Sequence, residues 1–92
     1  MIISIIHKGL EEFATTGSKK GINPSHSSKL IDLLFILENA HKIKDINNNP
    51  KYRHQLKGEY KDFHSMSVSG NWRIIFKFED GNVYLLDYLD YH

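Results

Sequence analysis

Apolar residues recur at helical spacing through the N-terminal half of the chain and at alternate positions through its C-terminal part, so the sequence divides into a helical half and a β half. Ile2 to Ile6 reads as a short buried strand. Leu10, Phe13 and Ala14 have helical spacing, with Gly17 as C-cap of a helix starting near His7 or Lys8. Ser18 to Gly21 is a loop carrying two lysines. Asn23-Pro24 reads as an N-cap followed by a first-turn proline, opening a longer helix to about Ala40. That helix carries Leu30, Ile31, Leu33, Leu34, Phe35, Ile36 and Leu37, apolar nearly all round. Such a helix is covered on more than one side, by a central place in a small core or in part by a docked partner. Lys44 to Pro50 is a loop or a single helical turn. Beyond it the period is two, and Phe63–Val68, Trp72–Glu79 and Asn82–Asp90 form three strands joined at Ser69-Gly70 and Asp80-Gly81, the latter a preferred type I′ pair.

Composition changes this picture only at the margins. Residues 1–92 make one domain of ordinary apolar and charged content, 40% and 25%, so disorder is not the default. With no cysteine, disulfides and thiolate zinc sites are excluded, which is compatible with a reducing cytoplasm. The apolar start is too short for a signal sequence or a membrane span, and no basic segment precedes it. A net charge of +1 implies no strong global field for nucleic acid. Local distribution matters more, because Lys51, Arg53, His54 and Lys57 cluster while the acidic residues are scattered.

The hairpins allow a register to be written. A two-residue Asp80-Gly81 loop sets Phe78 opposite Val83, Phe76 opposite Leu85, Arg73 opposite Tyr88 and Asn71 opposite Asp90. Asn71, Arg73, Tyr88, Asp90 and His92 then share one face, and Trp72, Ile74, Phe76, Phe78, Val83, Leu85 and Leu89 the other. A two-residue Ser69-Gly70 turn adds Met66 and His64 to the polar face. Simple alternation leaves Tyr91 on the face away from Arg73, and a bulge would shift the scheme by one residue.

That polar face lacks a glycine-rich phosphate loop, a metal-ligand spacing and a nucleophile elbow. What remains is His54, Lys57, Arg73, Asp90 and His92, a set suited to phosphodiester chemistry. Arg and Lys neutralise charge building on a transferring phosphate, and His moves protons near neutral pH. Tyr91 and Trp72 offer stacking surfaces for unpaired bases. Taken singly, each has a plainer role. Arg73 reads as bonding backbone or pairing with Asp87 or Asp90, Trp72 as core, Lys51 to Lys57 as a strand edge blunted by lysine, and His7, His26 and His41 as surface residues. Convergence of several segments on one place favours the functional reading.

The core His54-x-Leu56-Lys57-Gly58, the segment Ser69-Gly70-Asn71-Trp72-Arg73-Ile74 and the ending Asp90-Tyr91-His92 resemble the HigB toxins of the RelE/ParE superfamily across essentially the whole chain. The resemblance implies an α+β, RelE-like microbial ribonuclease fold, β-α-α-β-β-β, with an antiparallel sheet packed on two helices. It implies a toxin of a type II toxin–antitoxin system that cleaves mRNA in the ribosomal A site without a metal or other cofactor. A HigA-type helix-turn-helix antitoxin would neutralise it, and operator DNA would be reached only through that antitoxin. A cytoplasmic location follows, with no membrane partner. His54, Lys57, Arg73, Asp90 and His92 match the catalytic positions, and Asn71, Tyr91, Lys51 and Arg53 match positions that hold the RNA. Many relatives carry an aromatic pair where this chain has Phe63-His64, and His64 is read here as packing or surface. Two rival readings are a ParE-like poison of DNA gyrase and an inactive antitoxin-binding corepressor, and the terminal triplet with His54 distinguishes the nuclease from both.

Overall fold

The change of period becomes a division into helices and a sheet in the computed structural model, which describes residues 1–53, 56 and 58–91. Helix α1 spans Lys8–Thr16, α2 Ser27–Asn39 and the short α3 Lys44–Asn47. Strands β1 (Tyr52–Arg53), β2 (His64–Ser69), β3 (Trp72–Glu79) and β4 (Asn82–Asp90) form one antiparallel sheet in the order β1-β2-β3-β4. The architecture is α+β, as expected. Among the described residues no helix is long and apolar enough to cross a membrane.

Local chemistry sets the helix ends. The His7 ring nitrogen Nδ1 accepts the Leu10 N–H at 3.0 Å and caps α1. Gly17, at φ 81°, closes the helix with its N–H on the Phe13 carbonyl. Asn23 and Pro24 do start a helical segment, but its first turn is a 3₁₀ turn over Pro24–His26 that leads into α2. Gly9 and Gly21 touch backbone to backbone, and a Cβ on either would run into the other chain segment, which ties α1 to the loop ahead of α2.

One continuous core joins Leu10 and Phe13 of α1, Leu30, Leu33 and Leu37 of α2, Ile46 of α3, and Met66, Val68, Ile74, Phe76, Val83, Leu86 and Tyr88 of the sheet. Each such side chain contributes about 1.5–3 kcal/mol relative to exposure. Helix α2 is therefore covered along one stripe, while Ile31 and Phe35 remain 56% and 69% exposed. The N-terminal residues do not make a buried strand. Ile2 and Ile5 form two separate parallel bridges to Val83 and Leu86 on the free edge of β4, and Ile3 and Ile6 face solvent.

The register departs from the simple alternation in two places. The Asp80-Gly81 turn has positive φ at both residues, and Phe78 faces Val83 as expected. One extra residue then enters β4 between Tyr84 and Asp87, because Lys77 pairs with Tyr84 whereas Ile75 pairs with Asp87. Leu85 takes φ 54° at this bulge and stays 40% exposed, so that Leu86 can enter the core beside Val83. Two consecutive leucines cannot both face inward on a strand, and the bulge chooses the second. The Ser4 hydroxyl accepts the Leu85 N–H at 2.9 Å, and the backbone of residues 1–6 bonds to β4 on both sides of the bulge. A second irregularity at Val68 puts Ser69 opposite Trp72, so the other hairpin loop is Gly70-Asn71 and not Ser69-Gly70.

A left-handed φ at a leucine costs about 1–2 kcal/mol, and the Ser4 hydrogen bond is expected to offset about 1 kcal/mol of it. Ser4→Ala should therefore lower unfolding free energy by about 1 kcal/mol in urea titration, whereas Leu85→Gly should raise it by about 0.5–1 kcal/mol. A destabilised Leu85→Gly variant would show that the leucine side chain, and not backbone geometry, holds this edge.

Candidate functional site

Because of the bulge, β4 arrives at its end one residue out of the simple alternation. Arg73 pairs with Leu89 and Trp72 with Asp90. Tyr88 pairs with Ile74 and is buried in the core, against the expectation that it lies on the polar face. Asp90 is exposed opposite Trp72 and so does not share a strand face with Arg73. Tyr91, which simple alternation set apart from Arg73, is the residue that meets it. The guanidinium carbon lies 5.2 Å from the centre of the Tyr91 ring, a cation–π distance. The Tyr91 N–H donates to the Asn71 carbonyl at 2.8 Å, which adds one ladder bond beyond the last strand pair.

Across the sheet the pairings place further residues on the Arg73 face. Ser67 pairs with Arg73, and its N–H donates to the Lys51 carbonyl at 2.9 Å. Ser65 pairs with both Ile75 and Arg53 in the next row. Arg53, Arg73 and Tyr91 thus share the face turned away from the helices. Lys51, just ahead of β1, instead lines a cavity beside Ile31, Phe35 and Ile36 of α2. Arg53 bonds locally, one guanidinium nitrogen donating to the Pro50 and Tyr52 carbonyls at 3.0 and 3.1 Å. Lys77, not singled out in the sequence, adds a cation on this face, its ammonium 5.4 Å from the Phe63 ring centre. The middle of the face is covered, since Ile75 and Ser65 are fully buried. His54, Lys57 and His92 lie outside the described residues. Among the described residues no group of three or more His, Cys, Asp or Glu converges as metal ligands would.

The other half of the arrangement lies under the sheet and escaped the sequence reading. His26 is buried, not a surface residue, and its Nδ1 is 2.6 Å from the Tyr88 hydroxyl. That hydroxyl also accepts the Asn23 N–H at 3.3 Å. Trp72 packs at 4.8 Å from the Tyr88 ring and 5.5 Å from the His26 ring, centre to centre, and His7 meets Tyr88 edge-on at 5.2 Å. Trp72 is core-packing, as expected. Nothing in the spacing of His26 pointed to this cluster, because the contact spans 62 positions of chain.

Burial, reinforced by the nearby Lys29 charge, pushes the His26 pKa down. Burial pushes the Tyr88 phenol up, partly offset by the Asn23 N–H. His64 and Met66 were expected on the polar face if the turn were Ser69-Gly70, but the Val68 bulge turns both toward the core side. His64 pairs with Phe76, stacks on it at 5.7 Å, and lies 2.7 Å from the Tyr52 hydroxyl through Nδ1. Desolvation lowers its pKa as well. Its role is packing, as expected.

Helices packed on one face of a four-stranded antiparallel sheet are consistent with a RelE-like fold. A sequence model described as the RelE-like toxin of type II toxin–antitoxin system HigB matches residues 3–92, and the chain belongs to this HigB-like family. It is also 36% identical, over 92 residues and the full length of both chains, to the Endoribonuclease HigB of Proteus vulgaris. A protein antitoxin is thereby implied as its partner.

The buried imidazoles make stability pH-dependent in a definite direction. The unfolded chain takes up a proton on histidine below about pH 6.5, while folding lowers the pKa of His26 and His64. The unfolded state then binds more protons, so their contribution is complete above that pH and is lost as pH falls toward the folded values. Asp45, whose carboxylate accepts the His41 and Lys42 N–H groups, has a lowered pKa and loses its contribution only in a separate, more acid window. Urea midpoints should fall on acidification from about pH 7.5 to 5, and His26→Gln should flatten part of that slope. An unchanged slope in the variant would remove His26 from this account.

Proposed function

We propose that the chain is an endoribonuclease that cleaves mRNA in the A site of the small ribosomal subunit, arresting translation in the cytoplasm until a HigA-type helix-turn-helix antitoxin binds it. The full-length identity of 36% to an endoribonuclease carries this reading. The Arg73–Tyr91 pair on the face away from the helices supports it chemically, because arginine grips phosphate oxygens while an aromatic ring supports a base. Operator DNA is contacted only through the antitoxin.

The reaction needs no group beyond side chains. The ribose 2′-hydroxyl attacks the adjacent phosphorus. The new O2′–P bond forms as the P–O5′ bond breaks, leaving a cyclic phosphate and a free 5′-hydroxyl. His92 or Asp90 takes the 2′-hydroxyl proton and His54 gives one to the departing 5′-oxygen. Arg73 and Lys57 balance the charge that builds on the phosphoryl oxygens. Tyr91 and Asn71 hold the nucleotide, with Lys51 and Arg53 on the flanking phosphates. With so little net charge, affinity for RNA comes from these local cations.

Mapping 5′ ends of mRNA in a reconstituted translation system tests the assignment. Arg73→Ala should lower the cleavage rate about 100-fold or more, and Tyr91→Ala about tenfold, with thermal stability and antitoxin binding retained in both. Wild-type cleavage rates in both variants would sink the site assignment. Supercoiling defects without any cleavage by the wild type would instead mark a gyrase poison.

A further inference from the structure

The cluster beneath the ends of β3 and β4 is not used by the chemistry above, yet it sits directly under it. Trp72 immediately precedes Arg73 and pairs with Asp90, and Tyr88 lies three positions before Tyr91. Past the Trp72–Asp90 pair, the Tyr91 N–H bonds the Asn71 carbonyl and the Tyr91 ring meets Arg73. Strand ends open readily when few contacts hold them. A partly exposed cation–π contact contributes only about 0.5–1 kcal/mol, too little to hold Arg73 and Tyr91 together by itself. The buried side offers a firmer anchor. There His26, from the turn that opens α2, meets Tyr88 through a 2.6 Å hydrogen bond and the Trp72 ring edge-on at 5.5 Å. The Tyr88 hydroxyl also accepts the Asn23 N–H, and at 2.6 Å it shares one proton with Nδ1 of His26. Both polar atoms of that contact are thereby satisfied inside the core.

We propose that His26 is a positioning residue for the Arg73–Tyr91 pair, acting through the Tyr88 hydroxyl and the Trp72 ring to fix the ends of β3 and β4. Its effect on RNA cleavage rests on the nuclease reading above, whereas its effect on the Arg73–Tyr91 geometry does not. The two are therefore measured separately.

The experiment uses the full-length chain labelled with ¹⁵N, read at the Arg73 Nε–H resonance and the Tyr91 ring signals, alongside RNA cleavage. His26→Phe and Tyr88→Phe should keep a dispersed, folded spectrum but move the Arg73 resonance, collapse the ring-current shift from Tyr91, and lower cleavage about tenfold. His26→Gln keeps an amide able to donate to or accept from the Tyr88 hydroxyl and should restore most of both readouts. Unmoved Arg73 and Tyr91 signals in folded variants overturn the proposal, whatever cleavage does. Moved signals in a protein whose wild type cuts no RNA support the positioning role and overturn the nuclease reading. Should His26→Phe fail to fold, Tyr88→Phe, which removes a single oxygen, decides alone.

Discussion

The one-residue bulge at Leu85 decides which side chains of β4 meet the helices and which meet the other face. Its cost is a leucine held at φ 54°, about 1–2 kcal/mol by the usual steric argument. Against this stand the Ser4 hydroxyl on the strained N–H and the backbone hydrogen bonds that residues 1–6 make at Val83 and Leu86. The balance favours the bulge. The N-terminal residues are thus more than an added edge. They bond β4 at Val83 and Leu86, on either side of the irregular residue, and leave the bulge no room to migrate.

Everything beyond the bulge inherits its parity. Tyr88 turns inward and meets His26, Trp72 and His7. Leu89 turns outward opposite Arg73, and Tyr91 follows it to lie under the guanidinium. On an unbulged strand Tyr88 would leave the core and Tyr91 would leave Arg73. The buried polar cluster and the exposed Arg73–Tyr91 contact are therefore two consequences of one register. The two ends of the sheet also differ in kind. At the β1 edge Arg53 lies on the strand, with Lys51 just ahead of it. The β4 edge is covered by the N-terminal residues.

What could be read from the sequence follows from which interactions are local. The Gly17 cap of α1, the Asp80-Gly81 turn and the spans of β2, β3 and β4 depend on residues a few positions apart, and they appear close to where the pattern set them. The strand expected at Ile2–Ile6 does not form, and β1 was not expected. The bulge is different. Val83-Tyr84-Leu85-Leu86 satisfies two registers equally well by hydropathy, and the bonds that distinguish them come from the far end of the chain, the Ser4 hydroxyl lying 81 positions away. That is why Asp90 and Tyr91 exchanged faces relative to the simple alternation. His26 was invisible for a similar reason, since its partners are reached only through the fold. Arg73 stood out as a candidate because an arginine alternating with large apolar residues needs a reason to be there. Its partner was not legible, because the identity of that partner depends on the bulge.

Consecutive residues at a strand end point to opposite faces, so Asp90 and Tyr91 cannot both address a substrate lying flat on the Arg73 face. On the proposed reading the RNA must therefore pass the end of the sheet, where side chains from both faces converge past the last backbone pair. Asn71, in the two-residue loop at that same end and bonded to Tyr91 through its carbonyl, belongs there too. Such a placement needs strand ends that hold their geometry without the support of further pairs. A rigid aromatic and imidazole cluster directly beneath supplies that support at small entropic cost, because its rings have few rotatable bonds and its hydrogen bonds are satisfied. The buried histidine and the terminal tyrosine are in this sense parts of one device, joined through the β3–β4 hairpin.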